Sequence, residues 1–401
     1  MMTSKYTLDD ITEGGLFCDG DWIEKKDQDI NGKIRLIQLA DIGDGYFIDK
    51  SQKYINDETA ERLNCTLLKK GDILVSRLGS PLGKACIFPF EGKYITAVDI
   101  AIIRIVNPNI NRKYVMHLIN SFEFRTKIAS YQTGTTRKRI SRKNLAKITF
   151  TLPSLSEQER IVEKIEELFS DLDNAVETLN ATKAQLEVYR QAVYSSVYND
   201  NNVRPITDFF EVTGGLTKNS KRNSLPQKMP YLRVANVYFN RLDLSEIKEI
   251  GVNEAEIEKC LLKKNDLLFV EGNGSKSQIG RVAIWDGSIE NCLHQNHLIK
   301  ARPLGNMIPS YALFYLISGG GRRQINEVSK STSGLYTLST NKVRELMIPY
   351  CDYEKQQQSV GEIESRLSVC KSIEETVNTA LQQASAMHQS ILKQAFEGRL
   401  F

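Results

Sequence analysis

The sequence predicts an α+β protein in which two globular α+β domains alternate with two long α-helices that form an antiparallel coiled coil, giving a pseudo-twofold molecule. A helix-type stretch in the middle of the chain recurs 198 residues later, with nine identities in the 30 ungapped positions that start at Val162. The sequence before each copy mixes short β-type runs with turns and one helical pattern. A period near half of the 401 residues indicates two copies of one unit.

The first globular domain is predicted at 1–151. Apolar, β-type runs such as 34–40, 72–78 and 99–106 are separated by turn signals. Residues 114–131 carry apolar side chains at helical spacing. This mixture predicts a compact α+β domain.

A long helix is predicted at 152–200. Ser156 precedes an acidic first turn and is a suitable N-cap. Apolar residues then follow a 3-4 alternation, which is the pattern of a heptad seam, and about 40 helical residues give a rod of roughly 60 Å. The seam residues that we predict are Ile165, Leu168, Leu172, Leu179 and Leu186 here, and Ile363, Ile373, Val377, Met387 and Ile391 in the second copy.

The second half repeats this order, with a globular domain at 201–347 and a helix at 348–401. Three segments of the two domains align: 37–42 with 232–237, 71–88 with 265–285, and 133–145 with 332–343. Each helix has one narrow apolar stripe, which is unfavourable when it is exposed. We expect the helices to pair with each other, and pseudosymmetry favours the antiparallel arrangement. The alternative is that each helix packs onto its own domain.

Composition excludes several classes of protein. No apolar run approaches the roughly 20 residues that a membrane helix needs, and the N-terminal residues do not resemble a signal peptide. The seven cysteines are scattered and odd in number, which indicates reduced thiols. We therefore expect a cytoplasmic protein without a membrane partner.

Charge is unevenly distributed, although the net charge is only +4. Residues 121–147 contain eight cations and one anion, whereas residues 158–173 contain six acidic residues and two cations. A local basic segment beside an acidic helix predicts one surface for a polyanion and another surface for a different partner. The alternative is a solvated cationic loop.

Four loops have the side chains that a DNA-binding surface requires. Arginine can make bidentate bonds to guanine and glutamine to adenine, while lysine and threonine can hold phosphates. The alternative is that these loops are ordinary surface turns. The candidate DNA-binding residues are Arg77 and Lys84, then Gln132, Thr135, Thr136, Arg137 and Arg139, then Asn273 and Lys276, and finally Lys330, Ser331 and Tyr336.

Catalytic patterns are incomplete in this sequence. Residues 79–85 have too few residues between their glycines for a phosphate loop, and Ala85 stands where a serine or threonine would hold magnesium. Cys292, His294 and His297 lack a fourth metal ligand at standard spacing. We therefore predict a protein without catalytic residues and without a metal site.

The whole chain resembles the specificity subunit of Type I restriction–modification systems. The first helix is entered through the motif LP-x-L-x-EQ-x-x-IV at 152–162, and the order of domains and helices is the same. The second helix departs from this pattern, because two extra residues precede it and Gln357 stands where the first copy has Glu159.

The resemblance implies that 1–151 and 201–347 are target recognition domains, which read the two halves of an asymmetric, bipartite site in double-stranded DNA. It implies that the helices set the spacer and dock two DNA adenine methyltransferase subunits, which a motor–nuclease subunit joins. It also implies that this chain holds no cofactor, and that S-adenosylmethionine, ATP and magnesium belong to the partner subunits.

Two other functions stay open from the sequence. The chain could be the specificity portion of another restriction–methylation enzyme, which would need an Asn-Pro-Pro-aromatic motif or a carboxylate–lysine cluster. It could also be a cytosolic coiled-coil scaffold for protein partners.

Overall fold

The structure is a computed structural model that describes residues 5–196, 198, 202–332 and 334–400, without the side chains of residues 330–332 and 335. It contains two compact units. Residues 1–179 and 379–401 form the first unit, and residues 180–378 form the second. Each unit therefore combines one globular domain with part of each long helix.

The first globular domain contains nine short strands and five short helices among its described residues. In chain order they are β1 (Lys5–Tyr6), α1 (Leu8–Ile11), β2 (Leu16–Asp19), β3 (Ile34–Ile37), β4 (Lys53–Ile55), α2 (Asp57–Arg62), β5 (Ile73–Ser76), β6 (Ala85–Ile87), β7 (Tyr94–Thr96), β8 (Ile100–Arg104), α3 (Arg112–Asn120), α4 (Phe122–Ser130), α5 (Arg142–Ala146) and β9 (Phe150–Thr151). The long helix α6 (Leu155–Ser196) follows.

The second globular domain has a related order of elements, with fourteen strands and four helices among its described residues. They are β10 (Val203–Pro205), β11 (Phe210–Gly214), β12 (Lys228–Leu232), β13 (Val237–Tyr238), β14 (Arg241–Leu242), β15 (Lys248–Gly251), α7 (Glu254–Cys260), β16 (Leu267–Val270), β17 (Gly272–Asn273), β18 (Val282–Ile284), β19 (Leu293–His294), β20 (Leu298–Pro303), α8 (Pro309–Ile317), α9 (Gly319–Val328), β21 (Lys330–Thr332), β22 (Leu335–Thr337), α10 (Thr340–Arg344) and β23 (Met347–Pro349). The second long helix is α11 (Tyr353–Phe396).

The two domains have matching sheets. An antiparallel four-stranded sheet has the order β2-β8-β5-β6 in the first domain and β11-β20-β16-β18 in the second. A smaller mixed sheet has the order β4-β3-β7 in the first domain and β15-β12-β19 in the second. The α+β class predicted from the sequence is confirmed.

Strand β5 shows why each large sheet is buried on both faces. Ile73 and Val75 point into the core formed with α3 and the long helices, whereas Leu74 points into the core beside the small sheet. All three side chains are fully buried. A strand with two buried faces reads as a continuous apolar run, which is how ILV appears in the sequence.

The long helices pack against each other within each unit. In the second unit Arg190 forms an ion pair with Glu374, and the Lys183 ammonium donates to the Asn378 carboxamide oxygen at 3.0 Å. Between these two contacts the residue number rises on α6, from Lys183 to Arg190, and falls on α11, from Asn378 to Glu374. The helices therefore run antiparallel. In the first unit the Phe169 and His388 rings lie 4.5 Å apart. The helices also pack onto the domain cores, so the two arrangements expected from the sequence coexist.

Buried residues recur every seven positions on α11, and on α6 with the half-buried Leu179 in the one gap. The columns are Ile165, Leu172, Leu186 and Val193 on α6, and Ile363, Cys370, Val377, Ala384 and Ile391 on α11. Members of the two columns are related by the 198-residue offset of the repeat. Leu168 and Leu179 are half-buried.

Two predicted seam residues do not belong to the seam. Ile373 is 41% exposed and Met387 is 53% exposed. Each lies three positions after a buried column residue, whereas the half-buried residues of α11, such as Leu367 and Leu381, lie three positions before one. On α11 the half-buried residues therefore lie three positions before the column residues, whereas we predicted them three positions after; on α6 the predicted Leu168 is half-buried.

A buried glutamine ties the start of each long helix to its domain. The Gln158 side-chain oxygen accepts a hydrogen bond from the Asn111 backbone N–H at 2.8 Å, and Gln356 accepts one from Ile308 at 2.8 Å. Each also donates to a backbone carbonyl before the helix at 2.9 Å. The second helix entry thus keeps the local structure of the first, although its sequence departs from the motif.

His117 gives the first domain a predicted dependence of stability on pH. Its ring is buried in α3, and among the described residues neither ring nitrogen has a hydrogen-bond partner. Burial lowers the pKa of His117 from 6.5 to about 4. The unfolded chain therefore binds more protons than the folded chain between these values, so the free energy of unfolding falls as the pH drops through this window.

We expect His117→Phe to remove this part of the pH dependence, about 3 kcal/mol between pH 7 and pH 4. Phe314 occupies the matching position of α8 and is equally buried, so the fold accepts this ring. Urea unfolding at several pH values measures the effect. Burial also lowers the pKa of His294, to about 3. The free energy of unfolding of the variant should therefore still depend on pH, but less steeply. An unchanged pH profile would contradict the assignment.

Candidate nucleic-acid interface

Residues 133–139 form a hairpin on the first domain that pairs with the loop after β5. The backbone groups of Thr133 and Arg139 exchange hydrogen bonds of 2.8 and 2.9 Å. The Gly79 N–H donates to the Lys138 carbonyl at 3.1 Å. Gly79 has a φ of +117°, a conformation that favours glycine. The structure therefore brings two loops together that are far apart in the sequence.

The predicted DNA-binding side chains of this hairpin point to solvent. Thr135, Thr136 and Arg137 are exposed, and Gln132 is half-buried. Arg139 is also exposed and lies 3.5 Å from the Asp99 carboxylate. Among the described residues, the Arg137 guanidinium has no carboxylate within ion-pair distance, so its donors are available to a ligand.

The loop after β5 forms the other wall of a cleft of about 310 Å³. Leu78, Gly79 and Ser80 lie opposite Thr136 and Lys138 of the hairpin. Lys84, at the far end of this loop, is half-buried and is not among the residues that line the cleft.

Arg77 does not lie on the surface, although we predicted it as a DNA-binding residue. It is 6% exposed, and its guanidinium donates to the backbone carbonyls of Ile140 and Val98. It also forms an ion pair with Asp19 at 3.0 Å. Its burial argues against direct contact with DNA, and we reassign it as a residue that positions the hairpin. Sequence cannot distinguish these roles, since an arginine before a glycine turn suits both.

The second domain has the same construction with different side chains. Strands β17, β22 and β21 form a small antiparallel sheet in which Asn273 lies opposite Tyr336, and Tyr336 lies opposite Ser331. Asn273 and Tyr336 are half-buried, and Lys276 is exposed. Lys330 and Ser331 belong to β21, but their side chains lie outside the described part of the chain.

The base of each loop carries a polar pair that sequence reasoning missed. In the first domain the Arg77 N–H donates to the Asp99 carbonyl at 2.8 Å. In the second domain Glu271 donates in the same way to His297 at 3.0 Å, and their side chains lie 3.0 Å apart. The alignment of 71–88 with 265–285 could have indicated these pairs. It matches Arg77 with Glu271, so the two strands end in residues of opposite charge.

The cysteine–histidine pattern of the second domain does not form a metal site. His294 is buried, and its Nδ1 donates to the Cys260 carbonyl at 2.9 Å. The Cys292 thiol faces the Leu293 carbonyl, while His297 pairs with Glu271. Within the described residues, no group of three or more histidine, cysteine, aspartate or glutamate side chains is placed to hold a metal ion. Across the same part of the chain, every helix is too short or too polar to span a bilayer.

Comparison with known proteins identifies relatives of both halves. The model of the Type I restriction modification DNA specificity domain matches residues 3–188 and again residues 198–383. The chain is 27% identical over 304 residues to the Type I restriction enzyme EcoKI specificity subunit of Escherichia coli (strain K12), covering 72% of this chain and 65% of that subunit. It is 26% identical over 313 residues to the StySPI specificity subunit of Salmonella potsdam, covering 74% of this chain and 66% of the relative.

Solved structures agree at the level of the fold. A chain from a structure of the Type I R-M system, described for its complex assembly and conformational transition, superimposes with a TM-score of 0.71 at 14% identity. The match covers 100% of this chain and 95% of that chain. The resemblance inferred from the sequence motifs is confirmed, since the family model covers most of both halves. The chain belongs to the Type I restriction modification DNA specificity domain family.

Proposed function

We propose that this chain is the non-catalytic DNA-reading subunit of a Type I restriction–modification complex, and that its two domains read the two halves of an asymmetric, bipartite target. The observation that carries the proposal is the duplicated hairpin-and-loop surface, which occupies the matching place in both domains but has different side chains. The first surface offers arginine, threonine and glutamine. The second offers asparagine, lysine and tyrosine. Two readers with different side chains suit two different half-sites.

The long helices are proposed to set the spacer between half-sites and to dock two DNA adenine methyltransferase subunits. Exposed apolar residues support the docking role, because Val369 and Ile373 lie four positions apart on α11 and are 59% and 41% exposed. Residues at this spacing share one face of a helix. A motor–nuclease subunit is expected to join the complex. S-adenosylmethionine, ATP and magnesium would then bind the partner subunits, and the complex would act in the cytoplasm.

Replacing Arg137 and Arg139 with alanine is expected to weaken reading of one half-site only. Each bidentate contact to a base contributes about 1–3 kcal/mol, so the double variant should bind about 10- to 100-fold more weakly or lose base discrimination there. Its salt dependence should also decrease, because fewer cations contact the DNA. Fluorescence anisotropy with duplexes altered in either half-site measures both effects.

The matched control is Lys69→Ala with Lys70→Ala. These two lysines are exposed and precede β5, whereas the hairpin contacts the loop that follows β5. The control removes the same charge and should keep discrimination at both half-sites. Equal losses at both half-sites in the Arg137/Arg139 variant would contradict a two-reader arrangement.

A further inference from the structure

Each unit has a cleft at a matching place, but the two clefts differ in charge. The first-domain cleft, of about 820 Å³, is lined by Asp44, Arg125 and Asp173 among other residues. The second-domain cleft, of about 920 Å³, is lined at the matching positions by Phe239, Arg322 and Lys371. The turns that contain Asp44 and Phe239 are equivalent, since both are closed by antiparallel pairs, Ile42 with Phe47 and Val237 with Leu242.

The arginine of the first-domain cleft has its counter-ion within the chain. Arg125 of α4 donates two hydrogen bonds to the Asp44 carboxylate, at 2.7 and 2.9 Å. A bidentate pair of this kind neutralises the guanidinium and fixes its plane. This cleft therefore has little net attraction for an added anion.

Among the described residues, the arginine of the second-domain cleft has no such counter-ion. Arg322 of α9 lies over the Phe239 ring at 4.8 Å, where the first domain has the Asp44 carboxylate. It donates to the backbone carbonyls of Ile279 at 2.7 Å and Gly280 at 3.2 Å. These bonds orient the guanidinium but leave its full charge. Burial lowers the pKa of Arg322 to about 10, so the side chain stays charged at neutral pH.

Further cations lie around Arg322. Lys371 is exposed at the position of Asp173, and Arg241 is exposed at the position of Tyr46. Within the described part of the chain, neither has a carboxylate within ion-pair distance. The two carboxylates of this cleft, Glu187 and Glu374, both pair with Arg190. Among the described residues, three cations of this cleft are therefore left without a carboxylate counter-ion.

We propose that the second-domain cleft binds a phosphate-bearing anion. A phosphate group supplies oxygen acceptors for several cations at once, and arginine is especially suited to it. The volume is in the range of clefts that hold small organic ligands. The phosphate could belong to a free compound or to the DNA backbone, because Ser277 and Gln278 of the candidate DNA-binding loop also line the cleft. This inference does not depend on the function proposed above.

The test measures binding of tripolyphosphate to the full chain by isothermal titration calorimetry. The variant Lys371→Asp with Arg241→Tyr installs the residues of the first-domain cleft on exposed positions and leaves Arg322 in place. We expect at least a roughly tenfold loss of affinity, because a charge that faces the ligand is removed at one position and reversed at another. Two controls accompany it: Lys393→Asp, on an exposed position of α11 outside the cleft, and Asp173→Asn in the first-domain cleft. Both controls should bind like the unchanged chain.

Duplex DNA provides the second arm of the experiment. If the variant loses affinity for tripolyphosphate and duplex DNA alike, the phosphate comes from the DNA backbone. If it loses affinity for tripolyphosphate alone, the ligand is a free phosphate compound. The proposal is overturned if the unchanged chain shows no saturable binding of tripolyphosphate, or if the Lys393→Asp control weakens binding as much as the variant does.

Discussion

Adding one heptad to both long helices is expected to lengthen the recognised spacer by about three base pairs. Seven helical residues add about 10.5 Å, and successive base pairs are about 3.4 Å apart along the duplex. Suitable positions are after Leu179 in α6 and after Asn378 in α11, where the two compact units meet along the chain. A seven-residue insertion keeps the buried column in register, because its members recur every seven positions.

Insertion of two residues at the same positions is the matched control. It rotates Leu186 and Val193 by about 200° to the opposite face of the helix and should destabilise the helix pair rather than give a new spacer. The measurement is selection of binding sequences from a duplex library that varies the spacer. An unchanged spacer in the heptad variant, with binding retained, would remove the ruler role from the proposal.

Asp266→Ala is expected to destabilise the second domain by about 3–5 kcal/mol. The Asp266 carboxylate is fully buried and accepts two hydrogen bonds from Arg302, at 2.7 and 2.9 Å, and one from the Lys263 backbone N–H at 2.8 Å. Removal of the carboxylate leaves a largely buried guanidinium and a backbone N–H without their acceptor. The first domain repeats the arrangement with Asp72 and Arg104.

Urea unfolding of the variant measures this loss, with Asp286→Ala as the control. Asp286 is exposed and accepts a local hydrogen bond from the Ser288 N–H at 2.9 Å. Its removal should change the free energy of unfolding by less than about 1 kcal/mol. Similar losses in both variants would show that the buried ion pair contributes little.

The two long helices were predictable because the sequence contains two similar copies of them. The 198-residue repeat located both helices, and the heptad spacing predicted that each has one buried stripe. One helix alone did not predict which residues beside the buried column are also covered. Leu367 lies three positions before Cys370 and Ile373 lies three positions after it, and both are apolar. Comparing both helices would have indicated the side, because the matching residues Phe169 and Leu367 are both large and apolar, whereas Leu168 matches Arg366.

The candidate interface was predictable as loops but not as side-chain orientations. The candidate DNA-binding residues were predicted to lie in four loops. Burial of Arg77 depends on Asp19 and Val98, which approach it only in the folded domain. Contacts between segments so distant in sequence leave no local pattern, so the roles of Arg77 and Asp266 required the structure.

Mapping methylated adenines across the genome of the natural host tests whether this chain specifies a bipartite DNA target. The map is compared between cells with the intact gene, cells without it, and cells that carry the Arg137→Ala, Arg139→Ala variant. We expect one two-part methylated motif that disappears on deletion and loses discrimination in one half in the variant. A methylation map that does not change on deletion, or a motif without a spacer, would contradict it.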